Sequence, residues 1–407
     1  MRDTTSAVIL MPRASAAEDL LFRLRRSRSY ARYARIRMTA LALVIPTIAA
    51  AQTQSLKEAF KDAFLIGAAM NARQFSDPDA KAAALVRAQY NTISPENSLK
   101  WEVVHPQPGR YDFTEGDQYV AFGAKNNMFM VGHTLVWHSQ TPRWVFQDSA
   151  GRPLTRDALL ARMKDHISTV VGRYKGKIKG WDVVNEALNE DGTLRKSPWF
   201  NIIGDDYIIQ AFKFAHEADP SAELYYNDYN LEEPAKRGGA IALVKSLKAA
   251  GVTIHAVGSQ AHDRLDLPNS VALHDSSIAM ISAAGVKVNI TELDVDVLPR
   301  GRRPNTADVA AAAQQAPLGN PYTAGLPDSV QQKLAKRYAE LFEVFMKHQA
   351  VIDRITFWGV DDGASWLNNF PVRGRTNHAL LFDRQLTPKP AFDAVMRVAR
   401  DARTRSN

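Results

Sequence analysis

The sequence predicts an α/β protein whose fold is a single (β/α)8 TIM barrel. From about residue 55 onward, eight short apolar runs rich in β-branched residues alternate with eight longer segments of helical period. No low-complexity linker divides this region, and eight β/α units in about 350 residues are typical of one closed parallel barrel. A doubly wound open sheet is the alternative. That fold would need a Gly-rich phosphate-binding turn after the first strand, and residues 67–71 do not form one.

The predicted elements follow one another in a regular order. Each strand is indicated by a short run of β-branched or aromatic residues, and each helix by apolar residues at helical spacing. The strands are 64–67, 90–94, 128–135, 181–186, 222–226, 256–260, 286–292 and 355–358. The helices that follow them are 78–89, 113–126, 157–174, 205–218, 234–250, 270–284, 329–348 and 390–402. The spacing is interrupted after the seventh strand, where residues 299–327, rich in Pro, Ala and Gln, predict a long surface loop.

Residues 1–51 differ in composition from the rest of the chain. Basic residues at 35–37 precede an apolar run and the small residues Ala49 and Ala51, a pattern typical of a signal peptide cleaved before Gln52. The apolar run of about a dozen residues is shorter than a membrane-spanning helix needs. We therefore expect residues 1–51 to be an export leader, with Met38 as an alternative start and the periplasm or the extracellular space as destination. An uncleaved N-terminal helix is the alternative.

Charge and cysteine content limit the classes of function open to residues 52–407, which we expect to form the barrel. Nine arginines and three acids give residues 1–51 a charge of +6, so only +2 of the total +8 remains for the barrel. This small charge gives no electrostatic argument for a nucleic-acid partner. The chain has no cysteine, which excludes disulfides, a thiol nucleophile and a thiolate metal site. We expect no cofactor, no metal and no stable membrane anchor, and a monomer.

Polar and aromatic residues follow the carboxyl ends of the predicted strands. In a (β/α)8 barrel these ends meet at one face, where active sites are built. The second to fourth strands are followed by Glu96, Asn97 and Lys100, by His133, Trp137 and His138, and by Asn185 and Glu186. The fifth to eighth are followed by Tyr226, Asn227 and Asp228, by Gln260, His262 and Asp263, by Glu292 and Asp294, and by Trp358, Asp361 and Trp366.

Glu186 and Glu292 form a pair of carboxylates suited to cleavage of a glycosidic bond. One carboxyl, with a raised pKa, protonates the leaving oxygen, and the other attacks the anomeric carbon or activates a water. His262 and Asp294 follow neighbouring strands and are predicted to hold Glu292 ionised and oriented. A single strand-end Glu more often caps a helix or forms an ion pair, so the prediction depends on the pair.

The other strand-end residues suit a sugar ligand. Asn97, Lys100, His133, Asn185 and Gln260 are candidates to bond sugar hydroxyls. Tryptophans 137, 358 and 366 are candidate ring-stacking walls, although tryptophans more often belong to the core. Metal binding by His133 with His138, or by His262 with Asp263, is an alternative, but no spacing typical of a zinc or two-metal barrel is present.

Two of these segments resemble the signatures of a known family. Trp181-Asp182-Val183-Val184-Asn185-Glu186 and Ile290-Thr291-Glu292-Leu293-Asp294 resemble the acid/base and nucleophile motifs of glycoside hydrolase family 10, the endo-β-1,4-xylanases. The similarity runs through the whole barrel region and includes residues 64–67, 96–101, 132–138, 258–262 and 357–360. The resemblance implies a retaining mechanism on xylan or xylo-oligosaccharides, with Glu292 as nucleophile and Glu186 as general acid and then base. The two carboxyl groups should then lie roughly 5–5.5 Å apart.

The resemblance also implies a set of substrate contacts. Asn185 should bond the 2-hydroxyl beside the scissile bond, and Tyr226 and Asn227 should line the aglycone side. Contacts on the glycone side are implied for Glu96, Asn97, Lys100, His133, Trp137, Gln260, Trp358 and Trp366. Residues 299–327 depart from the family pattern and leave the length of the substrate open. A β-1,4-glucanase of related barrel type and a non-catalytic glycan-binding barrel are the alternative functions.

Overall fold

The computed structural model describes residues 54–76, 79–300 and 319–406, and in this part eight parallel strands close into a barrel. Neighbouring strands follow the order β6-β5-β4-β3-β2-β1-β9-β8, and pairing of β6 with β8 closes the ring. The strands are β1 (Leu65–Met70), β2 (Thr92–Pro95), β3 (Phe129–Trp137), β4 (Gly180–Asn185), β5 (Glu223–Asp228), β6 (Ala256–Ser259), β7 (His262–Arg264), β8 (Lys287–Asp296) and β9 (Arg354–Phe357). The predicted fold class is confirmed.

Helices surround the barrel. They are α1 (Leu56–Ala59), α2 (Ala72–Phe75), α3 (Ala80–Gln89), α4 (Trp101–Val104), α5 (Thr114–Lys125), α6 (Arg156–Arg173), α7 (Pro198–Ile203), α8 (Tyr207–Ala218), α9 (Pro234–Ala249), α10 (Ser270–Ser282), α11 (Asp328–Lys347) and α12 (Pro390–Ser406). Short 3-10 helices span Arg143–Phe146 and Trp366–Asn368. All eight predicted helices are confirmed, and the last extends beyond its predicted end. In the described part of the chain, no helix is long and apolar enough to cross a membrane.

Helix α6 illustrates how the sequence sets these elements. The hydroxyl of Thr155 accepts a hydrogen bond from the backbone N–H of Ala158 and caps the amino end of the helix. Leu159, Met163 and Ile167 recur at helical spacing, and all three are fully buried. This apolar stripe lets α6 pack against its neighbours α7 and α8.

Strand β8 differs most from its prediction. It continues past Glu292 to Asp296, and the short strand β7 pairs with this extension, with His262 opposite Asp294. In the sequence, the acidic residues from Glu292 onward indicate that the strand has ended. In the structure, Glu292, Asp294 and Asp296 are all buried. They are tolerated because each has charged or polar partners; Asp296, for example, accepts from Arg300 at 2.6 Å.

The two ends of the described chain meet at the amino-terminal end of the barrel. Helix α1 directly precedes β1, and Arg403 of α12 donates Nη2–H to the backbone oxygen of Ala59 at 2.7 Å. The ring of Phe60 packs against Phe342 of α11, with ring centroids 5.2 Å apart. This end lies opposite the carboxyl ends of the strands.

Two predictions fall wholly or partly outside the described residues. The leader at residues 1–51, with the alternative start Met38, lies outside them. So does the middle of the predicted loop, residues 301–318. Residues 319–327 of that loop form turns and are mostly exposed, and Asn320 donates Nδ2–H to the backbone oxygen of Gly374 at 3.3 Å.

Candidate active site

A cleft opens at the carboxyl ends of the strands, where the sequence places its polar residues. The structure brings together residues far apart in the chain, because neighbouring parallel strands end at the same face. The lining side chains are Glu96, Asn97, Lys100, His133, Trp137, Gln140, Asn185, Glu186, Gln260, His262, Glu292, Trp358 and Trp366.

Glu186 follows β4, and its carboxyl group is almost fully buried. Trp137 donates Nε1–H to Oε2 at 2.9 Å, and Gln260 donates Nε2–H to Oε1 at 3.0 Å. Burial raises the pKa of Glu186 above the ordinary value of a glutamate, and the nearby charge of Glu292 adds to the rise; together they outweigh the two hydrogen bonds. Of the two carboxyl groups, Glu186 therefore holds a proton more readily.

Glu292, within β8, has the opposite electrostatic environment. Asn227 donates Nδ2–H to Oε1 at 2.8 Å, and Nε2 of His262 lies 3.2 Å from Oε2. Burial alone would raise the pKa of Glu292, but the hydrogen bond from His262 and the charges of His133 and His262 lower it below the ordinary value. Glu292 is therefore the ionised member of the pair.

His262 links Glu292 to Asp294. Its Nδ1 lies 3.0 Å from Oδ1 of Asp294, and Trp366 donates Nε1–H to the other oxygen of Asp294 at 2.7 Å. Burial alone would lower the pKa of His262, but Asp294 and Glu292 outweigh burial and raise the pKa to about 10. At neutral pH the ring is therefore protonated, and both ring nitrogens donate.

Amide side chains connect the two carboxyl groups. Asn227 donates Nδ2–H to Oδ1 of Asn185 at 2.9 Å as well as to Glu292, and accepts from the hydroxyl of Thr291 at 2.6 Å. Gly258 makes room for this side chain, because a Cβ at residue 258 would overlap Oδ1 of Asn227. The network holds the carboxyl groups in fixed orientations.

One end of the cleft carries a cation and neutral hydrogen-bonding groups. Lys100 donates Nζ–H to Oδ1 of Asn97 at 2.9 Å and to Oε1 of Gln140 at 2.8 Å, and lies over the ring of Trp137. Gln140 was not among the predicted residues. It follows the polar residues after β3, and extending that strand-end search by two residues beyond His138 would have included it.

Aromatic rings form another part of the cleft wall. His133, held by Asp182 through Nδ1 at 2.9 Å, packs edge-on against Trp358 with ring centroids 5.4 Å apart. His262 packs against Trp366 at 4.8 Å. These tryptophans reach the cleft instead of being buried entirely in the core.

Tyr226 and Asn227 lie beneath the cleft and have no exposed surface. The expectation that these two side chains line the aglycone side is therefore not met in this structure. Their polar atoms bond to side chains and backbone of the barrel wall instead of reaching the opening. Asp294 likewise contributes from behind the cleft, through His262.

The alternative of metal binding gains no support from the arrangement of ligands. Among the residues that the structure describes, there is no group of three or more His, Asp or Glu side chains able to hold a metal ion. Nδ1 of His133 bonds to Asp182, and both ring nitrogens of His262 bond to carboxylates, so these three nitrogens take part in hydrogen bonds within the protein.

Comparison with known proteins defines the family. A family model described as glycosyl hydrolase family 10 matches residues 55–398. The chain belongs to glycosyl hydrolase family 10. It is 44% identical over 357 residues to endo-1,4-beta-xylanase A of Xylanibacter ruminicola, covering 88% of this chain and 96% of that protein.

Solved structures of family 10 are similar over the same region. An endoxylanase retrieved from a sugarcane soil metagenome superposes with a TM-score of 0.79 at 44% identity, covering 85% of this chain and 99% of that one. A mutant of an intracellular xylanase from Thermoanaerobacterium saccharolyticum, in complex with xylotriose, gives a TM-score of 0.73 at 36% identity, covering 85% and 99%. Membership in family 10 makes this protein a glycoside hydrolase, which agrees with a cleft whose two carboxyl groups have pKa values shifted in opposite directions.

Proposed function

We propose that this protein is a retaining endo-1,4-β-xylanase, with Glu292 as nucleophile and Glu186 as general acid and then general base. The observation that carries the proposal is the opposite electrostatic environment of the two carboxyl groups. Burial raises the pKa of Glu186, whereas hydrogen bonds and positive charge lower the pKa of Glu292. A double displacement requires this pairing of an acid with an ionised nucleophile.

In the first step, a carboxylate oxygen of Glu292 attacks the anomeric carbon while Glu186 gives its proton to the departing glycosidic oxygen. The products are a glycosyl ester on Glu292 and a free sugar end. In the second step, Glu186 takes a proton from water, whose oxygen attacks the same carbon and releases the ester. Protonated His262 stabilises the carboxylate of Glu292 when it leaves. Asn185, which donates to Glu186 at 3.2 Å, is proposed to bond the 2-hydroxyl.

The proposed substrate is xylan or xylo-oligosaccharides. Relatives similar over most of this chain are named endo-1,4-β-xylanases, and one similar structure holds xylotriose. Glu96, Asn97, Lys100, His133, Trp137, Gln260, Trp358 and Trp366 are proposed to contact the glycone. Xylose lacks the hydroxymethyl group of glucose, so crowding near Lys100, Trp358 and Trp366 should favour xylan over cellulose.

The test combines substrate choice with chemical rescue. The wild-type protein should release reducing ends from xylan and much less from cellulose. On an aryl xylobioside with a good leaving group, azide should rescue Glu292→Ala with inversion to an α-azide. It should rescue Glu186→Ala with net retention, because azide then opens the glycosyl-enzyme and gives a β-azide. The stereochemistry of each product is read by NMR.

A matched control is Glu223→Gln, on β5 at the opposite end of the barrel. This variant should keep wild-type activity and give no azide product. A Glu292→Ala variant that folds and retains full hydrolysis without azide would refute the assignment of the nucleophile. A wild-type protein that binds xylan but releases no reducing ends would instead favour the non-catalytic glycan-binding barrel.

We also propose that residues 1–51 are removed during export, that residues 52–407 act as a monomeric catalytic barrel, and that the mature enzyme meets its polysaccharide outside the cytoplasm. The supporting feature is the basic, apolar and small-residue order that ends at Ala51. N-terminal sequencing of protein from the culture medium or periplasm should give Gln52. Material that remains in the cytoplasm with residues 38–51 attached would overturn the proposal, and size-exclusion chromatography tests the monomer.

A further inference from the structure

The hydroxyl of Tyr226 lies next to the backbone directly after Glu186. It accepts a hydrogen bond from the N–H of Ala187 at 3.1 Å and donates its own proton to Oδ2 of Asp228. The tyrosine side chain has no exposed surface, so substrate cannot reach it. The contact is therefore one between the interior of the barrel and the peptide bond that follows Glu186.

That peptide bond follows a residue in an uncommon conformation. Glu186 has φ of +56°, in the left-handed region that residues other than glycine rarely adopt. Three backbone contacts hold it: its N–H donates to the oxygen of Asn227 at 2.9 Å, its oxygen accepts from Nε of Arg195 at 3.2 Å, and the next N–H donates to Tyr226. Of the three partners, only Tyr226 contributes a side-chain acceptor.

A buried ion pair orients the hydroxyl. Asp228 and Lys236 both have fully buried side chains, and Nζ of Lys236 lies 2.9 Å from Oδ1 of Asp228. The N–H of Tyr229 also donates to Oδ1 at 2.9 Å, which leaves Oδ2 for the tyrosine proton. Because a phenol has a single proton, its donation to Asp228 turns the oxygen lone pairs toward the N–H of Ala187.

We infer that Tyr226 is a positioning residue for the acid/base Glu186, and that the Asp228–Lys236 pair orients the tyrosine hydroxyl for this task. The inference rests on the proposed function, because it assigns Tyr226 a role through Glu186. Without the hydroxyl, the backbone at residues 186 and 187 can relax. The carboxyl group then loses its fixed position between Trp137 and Gln260.

The test is Tyr226→Phe, with Tyr225→Phe as matched control. Tyr225 is the neighbouring residue of β5, is equally buried, and donates its hydroxyl to Glu223 at the other end of the barrel. Aryl xylobiosides with leaving groups from dinitrophenol to phenol report the first chemical step through kcat/KM. Only the poor leaving groups need a proton from Glu186. A general loss of stability changes kcat/KM equally for every leaving group.

For Tyr226→Phe, we expect kcat/KM to fall about ten- to a hundredfold on the phenyl substrate and by less than about twofold on the dinitrophenyl substrate. Tyr225→Phe should leave both unchanged. Equal losses on the two substrates, or no loss on either, would overturn the inference. Wild-type protein without activity on xylan would refute the proposed function instead, so the two failures are distinguishable.

A second variant tests the ion pair, and it also keeps the inference testable if the Tyr226→Phe variant does not fold. Asp228→Asn combined with Lys236→Met removes both buried charges together and leaves no charge unpaired. An amide directs the tyrosine proton less strongly than a carboxylate, so we expect a leaving-group-dependent loss in the same direction but smaller than in Tyr226→Phe. A loss that does not depend on the leaving group would contradict the role given to the pair.

Discussion

Glu186 and Glu292 have the same ordinary pKa in the unfolded chain, and the fold shifts the two pKa values in opposite directions. The difference comes from their neighbours: Glu186 faces an indole N–H and an amide, whereas Glu292 faces a protonated imidazole. A carboxylate is stabilised far more by a cation than by a neutral donor at the same distance. At the scale of single residues, His262 is therefore a side chain that separates the pKa values of the two carboxyl groups.

The first prediction concerns His262→Asn. Removing the cation should raise the pKa of Glu292, because the positive charge and hydrogen bond of His262 lower it in the wild-type protein. In the proposed mechanism activity requires ionised Glu292 and is lost as pH falls through its pKa, so the acid limb of the kcat/KM profile should move to higher pH. Profiles on an aryl xylobioside measure this shift. His216→Asn, on the exposed face of α8, is the control and should leave the limb in place.

Most lining residues of the cleft are predictable from the sequence because parallel strands end together at one face. The orientation of the Tyr226 side chain is not predictable in this way. A strand buried on both faces shows no alternation of polar and apolar residues, so the sequence of β5 does not reveal which side chains reach the opening. The partners of Asn227 lie on β4 and β8, and such contacts across the barrel leave no local pattern.

At the scale of elements, the spacing between barrel strands depends on small residues at the contacts. Gly132 of β3 pairs with Trp181 of β4, whose ring lies directly against the glycine. Trp181 is fully buried and belongs to the main hydrophobic core. Strand β3 can approach the large ring only because residue 132 has no side chain.

The second prediction compares two Gly→Ala variants. An alanine Cβ at 132 would overlap the ring of Trp181, so Gly132→Ala should reduce the free energy of unfolding by about 1–3 kcal/mol. Gly172→Ala, in α6 where a Cβ meets nothing, should instead increase it by about 0.5–1 kcal/mol. Denaturant unfolding monitored by circular dichroism measures both. Equal effects of the two substitutions would contradict the packing argument.

The helices and strands of the barrel follow from local patterns, since apolar periodicity reports which face of each element is buried. The extension of β8 and its pairing with β7 cannot be predicted from such local patterns. Asp294 and Asp296 interrupt the apolar pattern of a buried strand. Their burial depends on His262 and Asn377 from distant parts of the chain, as well as on the nearby Arg300. Only the folded chain supplies these partners.

At the scale of the whole molecule, the closed sheet joins the first strand to the last. Strand β1 pairs with β9 as well as with β2, and α12 packs across α11 and α1. Phe392, Val395 and Met396 of α12 are buried in the main core. The carboxyl-terminal helix is therefore part of the barrel structure.

The third prediction is that a chain ending at Lys389 fails to fold cooperatively. Each large apolar side chain lost from the core contributes ~1.5–3 kcal/mol, and the sum approaches the ~5–15 kcal/mol that typically separates folded from unfolded domains. Thermal unfolding should show no sharp transition. A chain ending at Thr404, which keeps Arg403 and its bond to Ala59, is the control and should melt like the full chain.

The ends of the described chain meet at the amino-terminal end of the barrel, and this also determines how the protein can be attached to a surface. A bead, a cell wall or a second protein joined near Gln54 or Thr404 sits at the amino-terminal end of the barrel, behind the cleft. The strand ends that carry Glu186 and Glu292 then face away from the support. Tethering at either of these two points therefore leaves the cleft open to a long insoluble polymer, whereas tethering through the loops that follow the strands would block it.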